Sequence, residues 1–258
     1  KIMSKLFYRE YGSGKPLIIL HGLLGSSDNW LYHGKLFAKT FNVFLIDQMN
    51  HGNSPHSQSI NYKTLTSDLF NFIKSKNLSA VNIIGHSMGG KVAMKFAQDY
   101  ERLVNKLVIV DIAPKEYPNN FNFNYIIQGI NALNVDSIST RKEADDLLSK
   151  YVSERYIRNF LIKNLKRNSL KSFFWKSNVK LITDSIKELY SGISNDLTSY
   201  SNVLFIKGEK SNYILDNDWD NIISLFPKAK ILTINNSGHW VHFDNPEEFY
   251  LNVMSFLK

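Results

Sequence analysis

Cysteine is absent from this chain of 258 residues. That absence removes disulfides, thiolate chemistry and cysteine-based zinc sites together. The seven histidines show no paired spacing such as His-Glu-x-x-His, so no metal is expected. No apolar run approaches the roughly 20 residues of a membrane-spanning helix. The opening KIMSKLFYRE lacks the charged-then-apolar order of a secretory leader. The expectation is a cytoplasmic protein with no membrane partner, although the start at Lys1 leaves a removed leader open. Internal repeats and low-complexity tracts are missing too, so arrays and disordered linkers are not expected.

What is present is ordinary globular composition with an uneven charge. Hydrophobic residues make up 43% and charged residues 21%, which suits one large α/β domain or a core domain plus an insertion. The net charge is +8, and the stretch Arg141–Lys187 holds twelve Lys and Arg against five Asp and Glu, or +7 of it. A local excess of this kind reads as the solvated face of helices. No nucleic-acid-binding module accompanies it, so nucleic acid is not expected as a partner.

Short β-branched runs alternate with amphipathic stretches. Leu17–Leu20, Val43–Ile46, Val81–Ile84, Lys106–Ile112, Val203–Ile206 and Lys230–Ile234 read as strands buried on both faces, hence a parallel sheet. Helical patterns occupy 62–77, 88–100, 217–226 and 246–257. Strand and helix in alternation predict a doubly wound α/β sheet. The alternation stops from about Pro114 to Ser199, where only polar, basic sequence with helical periodicity appears. So long an excursion is not a loop. It predicts a helical lid, 114–199, inserted into a core made of 1–113 and 200–258.

Three motifs carry chemistry. Gly85-His86-Ser87-Met88-Gly89 follows the strand VNII and opens an amphipathic helix. Gly-x-Ser-x-Gly alone is a weak signal, but a nucleophilic serine needs this sharp strand-to-helix turn, with glycines where the helix crosses close. The idle alternative is a glycine-rich turn. His21-Gly22-Leu23-Leu24-Gly25 follows the strand LIIL, where a backbone donor can meet the charge that acyl transfer develops on a carbonyl oxygen. Leu23 N–H and Met88 N–H are the expected pair of donors, with His21 holding the loop. Ser237-Gly238-His239-Trp240-Val241-His242-Phe243 then places a histidine on a loop after the last strand. His239 is the preferred general base over His242, since Gly238 frees the backbone before it and it lies nearer the strand end.

Together these residues resemble the α/β-hydrolase superfamily along the whole chain. HGLLGSSDNW, DQMNHGNSPH, GHSMGG, VIVDIAP and GHWVHFDNPEEF are similar, more narrowly, to the small YbfF-type bacterial esterases and their mitochondrial relatives. That resemblance implies the α/β-hydrolase fold, hydrolysis of short-to-medium acyl esters and some acyl-CoA thioesters, and no cofactor. It also implies that the acid of the triad is Asp111, in DIAP. In most of the superfamily the acid follows the strand Val203–Gly208, where this chain has Glu209 and then Ser211. Met49 replaces an arginine usual in the narrower family.

The expected partner is a small acyl ester or thioester, with Phe173, Phe174, Trp175 and Trp240 facing the pocket. Other chemistries built on the same triad, such as haloperoxidases and C–C bond hydrolases, are rivals within enzymes. A main role on acyl-CoA, or a catalytically silent ligand receptor, are the alternatives. Oligomeric state is open.

Overall fold

The computed structural model describes residues 6–118, 124–193 and 196–258. Seven strands form one sheet: β1 (Tyr8–Tyr11), β2 (Pro16–Leu20), β3 (Asn42–Ile46), β4 (Val81–His86), β5 (Val104–Val110), β8 (Asn202–Gly208) and β9 (Ala229–Ile234). Their order is β1-β3-β2-β4-β5-β8-β9, parallel throughout except for β1, which runs antiparallel to β3. A second, two-stranded sheet pairs β6 (Leu165–Arg167) with β7 (Phe173–Trp175).

The period of two along each central strand sends alternate residues to opposite faces. Ile18, Leu20, Phe44, Ile46, Ile83, Leu107 and Ile109 pack on one side with Leu69 and Phe72 of α2 (Tyr62–Ser75) and Val92 and Phe96 of α3 (Met88–Asp99). Leu17, Ile19, Val43, Leu45, Ile84, Val108 and Val110 pack on the other. There they meet Phe37 of α1 (Leu31–Phe37) and Phe249 and Val253 of α11 (Pro246–Leu257). Each such side chain contributes about 1.5–3 kcal/mol on burial, which is why the apolar runs become the sheet centre.

Three strands of the main sheet differ from the sequence reading. β1 has the polar sequence YREY and was not foreseen; it is an edge strand, held by its backbone ladder to β3. β9 is the opposite edge, with Lys230 and Ile231 exposed, so it is not buried on both faces. β5 stops at Val110, because Asp111 turns into the left-handed region at φ 52°.

Between β5 and β8 lie α4 (Asn124–Ala132), α5 (Arg141–Leu148), α6 (Arg155–Ile162), α7 (Val179–Asp184) and α8 (Ile186–Tyr190). This excursion is not purely helical, since it contains the β6–β7 hairpin. Asn168 makes the turn, its Oδ1 accepting from Leu170 N at 2.9 Å and Ser172 N at 3.0 Å. Such Asx turns compete with helix, and the aromatic run that follows suits a strand. After β8 come α9 (Trp219–Leu225) and, following β9, the short α10 (Val241–Asp244). No helix among the described residues is long and apolar enough to cross a membrane.

Candidate active site

β4, β5 and β8 are neighbours and end in register, His86 opposite Val110 and Val110 opposite Ile206. Ser87 follows β4 directly and caps α3. Its φ of 52° and ψ of −119° lie outside the helical and strand regions. A non-glycine residue there costs on the order of 1–3 kcal/mol, a cost recorded most often at functional sites. The turn is closed by Ser87 N donating to Val110 O at 3.0 Å and Gly90 N donating to Ser87 O at 2.8 Å. It is also tight: a Cβ at Gly85 would sit 2.3 Å from Gly89 O. The result is a serine hydroxyl lifted above the strand ends.

His239 reaches it from the loop after β9. Ser87 Oγ donates to His239 Nε2 at 3.0 Å, and His239 Nδ1 donates to Asp111 Oδ2 at 2.8 Å. Asp111 is fully buried, and its carboxylate is held from two further directions. Gly208 N donates to Oδ1 at 3.0 Å, and Ser211 Oγ donates to Oδ2. The ring of Tyr213 stacks on the imidazole of His239, with centroids 3.6 Å apart and planes 14° apart. His86 fixes the backbone, its Nε2 donating to His239 O at 2.8 Å.

The glycine that admits this loop is Gly208, not Gly238. Gly238 does not take a positive φ, whereas a Cβ on Gly208 would lie 2.3 Å from Gly238 O. His242 is turned elsewhere, stacked on Trp30 with centroids 4.0 Å apart. Burial holds His242 well below the ordinary histidine pKa, and pushes His86 down to about 3. Both are neutral near pH 7. Glu209 also points away, its Oε2 accepting from Asn236 N at 2.7 Å.

The loop after β2 is tied down by His21. Its Nδ1 donates to Gly22 O at 2.8 Å, and its Nε2 accepts from Gln48 N at 3.0 Å. Burial lowers its pKa to about 4, so the neutral form that this pattern requires prevails. Leu23 and Met88 both border the cavity beside Ser87. Among the described residues, neither backbone N–H has a hydrogen-bond partner, so both are free to meet an oxyanion. Met49 packs in the core cluster, and its backbone carbonyl accepts from His51 Nδ1 at 3.0 Å.

That cavity has a volume of about 830 Å³, within the range that encloses a small ligand. Core and excursion both wall it. Tyr156, Asn159 and Phe160 of α6 and Lys163, its C-cap, lie at the spacing of a single helix face and line it, as do Leu189, Tyr190 and Trp240. Phe173, Phe174 and Trp175 do not. They lie in β7, where Phe173 is buried under the guanidinium of Arg167, 4.7 Å from its ring, and Phe174 is exposed. The aromatic run forms a hairpin, and the pocket's aromatics come from α6.

A sequence profile described as the alpha/beta hydrolase fold matches residues 15–246. The chain belongs to the α/β-hydrolase fold family. Among relatives, the sn-1-specific diacylglycerol lipase ABHD11 of Danio rerio is 36% identical over 253 residues, 96% of this chain and 80% of its own. Esterase YbfF of Escherichia coli is 28% identical, covering 95% of this chain and 94% of itself. A solved marine microorganism esterase is 43% identical with a TM-score of 0.96, covering 98% of this chain and 99% of its own.

Within the hydrolase frame, the residues that sequence reasoning missed are those acting across the chain. Tyr213 and Ser211 come from the loop after β8, and Tyr156 and Phe160 from α6. The apolar spacing of α6 marks the face it buries, Ile157, Leu161 and Ile162, so its mixed cavity face of Tyr156, Asn159 and Phe160 carries no such signal. The stacking of Tyr213 on His239 has no local signal.

Proposed function

We propose that this chain is a serine esterase whose nucleophile is Ser87, with His239 as general base and Asp111 as its orienting acid. The line of contacts from Ser87 Oγ to His239 Nε2 to Asp111 Oδ2, at 3.0 and 2.8 Å, carries this reading. Ser87 Oγ attacks the acyl carbon while its proton passes to His239 Nε2. The carbonyl oxygen becomes an oxyanion, and the N–H groups of Leu23 and Met88 receive it. Collapse expels the leaving group, which takes the proton from His239 and leaves an acyl-enzyme on Ser87. Water repeats the sequence, giving its proton to His239 and freeing the acid. Asp111 holds Nδ1 protonated and stabilises the imidazolium that forms twice per turnover. Residues 114–199 act as a lid, which excludes water and shapes the site for a short-to-medium acyl chain.

The test is a fluorophosphonate probe together with p-nitrophenyl esters of graded acyl length. Labelling at Ser87 and turnover of the shorter esters are expected. A protein that neither labels nor turns over any ester is the silent receptor and not the enzyme.

A second reading, an acyl-CoA thioesterase, is favoured by one observation. Arg141, Lys163 and Lys166 are exposed and line the same cavity, within the stretch that carries most of the net charge. A positive mouth attracts a leaving group that bears phosphates, and salt screens that attraction over about 8–10 Å. On this reading kcat/KM for an acyl-CoA falls with ionic strength far more steeply than for a neutral ester. Equal salt sensitivity would make the cations solvated surface only.

A further inference from the structure

Lys91 is a fully buried cation of α3 that the proposed mechanism leaves unused. It stands one helical turn after Ser87, with Lys91 N donating to Ser87 O at 3.1 Å. Its side chain is buried at 1% exposure, and desolvation pushes its pKa down to about 7. A buried ammonium needs compensating partners. These are the carbonyl of Tyr190 at 3.3 Å, the carbonyl of Ser191, and the ring faces of Tyr117 and Tyr62, with centroids at 4.8 and 5.5 Å. Glu116 and Lys115, on the segment after β5, are the charges that act on it.

Those carbonyls belong to the point where the excursion rejoins the core. Tyr117 N donates to Tyr190 O at 2.9 Å, and Ile193 N donates to Pro114 O at 2.7 Å, so the outgoing and returning segments are laced together. Tyr62 Oη, from α2, donates to Leu189 O at 2.6 Å. Three successive carbonyls at the end of α8 are therefore gripped from α2, α3 and the outgoing segment. A helix as short as α8 cannot hold itself and leaves its last carbonyls unpaired, so these external donors set its position. Leu189 and Tyr190, which the grips hold, are walls of the cavity that contains Ser87.

We propose that Lys91 is a positioning residue: its ammonium clasps the rejoining ends of the excursion and so fixes the wall that Leu189 and Tyr190 present to the acyl chain. Lys91 itself borders the cavity, and its hydrogen bonds run to the segment that carries that wall. Tyr117 Oη accepts from Ala113 N at 2.9 Å and donates to Tyr213 O at 2.6 Å, and neither bond involves Lys91. Loss of the clasp removes the contact of Lys91 with the Tyr117 ring and leaves both of these hydrogen bonds in place beneath His239. An acyl chain long enough to reach the wall loses contacts, whereas an acetyl group does not reach it.

The inference rests on the esterase reading, and the experiment separates the two. Lys91→Met and wild type are compared on p-nitrophenyl acetate and p-nitrophenyl octanoate, with far-ultraviolet circular dichroism to check folding. The ratio of kcat/KM for octanoate to that for acetate is expected to fall about tenfold, mainly through KM, as a pocket mismatched at the scale of a methylene would give. An unchanged ratio, or one uniform loss on both esters, overturns the proposal. Should Lys91→Met not fold, Tyr62→Phe keeps the ring that borders the cavity and removes the grip of Oη on Leu189 O; the ratio is expected to fall in the same direction, and an unchanged ratio again overturns it. Failure of the esterase reading would appear separately, as wild-type protein that no fluorophosphonate labels.

Discussion

Ser87→Ala is expected to lower kcat for ester hydrolysis by about 10⁶ and to abolish fluorophosphonate labelling, with little change in KM. The size follows from what is removed. Without the hydroxyl no acyl-enzyme forms, and the residual rate comes only from the oxyanion donors and from binding. The substitution is also structurally mild. Ser87 makes its turn through backbone bonds to Val110 and from Gly90 and Lys91, none of which uses Oγ. Its φ of 52° is strained for alanine as for serine, so folding should be little altered. A labelled serine other than Ser87, measured by mass spectrometry of the modified peptide, would remove the assignment and with it the role of His239.

The parts of this fold that could be read from sequence are those whose cause is local. β2, β3, β4 and β8 are apolar because both faces are covered, so their identity shows in four or five residues. Ser87 was legible for a similar reason: strand, glycine-flanked turn and helix are contiguous. β1 was not legible, because an edge strand of Tyr, Arg and Glu draws its stability from backbone pairing to β3 rather than from burial. The pocket was misread for a physical reason as well. An aromatic run such as Phe173-Phe174-Trp175 is equally compatible with a hairpin whose alternate residues are buried and exposed, and the hairpin is what forms. Lys91 sat in plain view within an amphipathic helix, but the carbonyls it donates to lie about a hundred positions later in the chain, where no pattern links them.

Asp111→Asn is expected to reduce kcat by about 10⁴, whereas Glu209→Gln should change it less than tenfold. The identity of the acid is the least local feature of the site. Sequence position after β8 would favour Glu209, whereas the resemblance to YbfF-type esterases, and the place of Asp111 at the end of an apolar strand beside that of Ser87, pointed to the end of β5. The geometry gives the physical argument. Asp111 occupies a site in which every neighbour donates: Gly208 N to Oδ1, and Ser211 Oγ and His239 Nδ1 to Oδ2. An asparagine must turn its NH₂ group towards one of those donors. If the amide faces His239, Nδ1 has to become the acceptor, the proton moves to Nε2, and the ring can no longer take the proton of Ser87. If the amide faces Gly208, two donors oppose each other in a fully buried site, which costs about 1–3 kcal/mol for each unsatisfied group. Glu209 offers no such leverage. Its carboxylate meets the backbone of Asn236 at 2.7 Å on an exposed loop, and the glutamine carbonyl can accept that same bond. Steady-state kinetics on a short ester, with fluorophosphonate labelling rates for both variants, decide the matter. A large loss in Glu209→Gln with near-normal turnover in Asp111→Asn would move the acid to the loop after β8 and overturn its assignment to the end of β5.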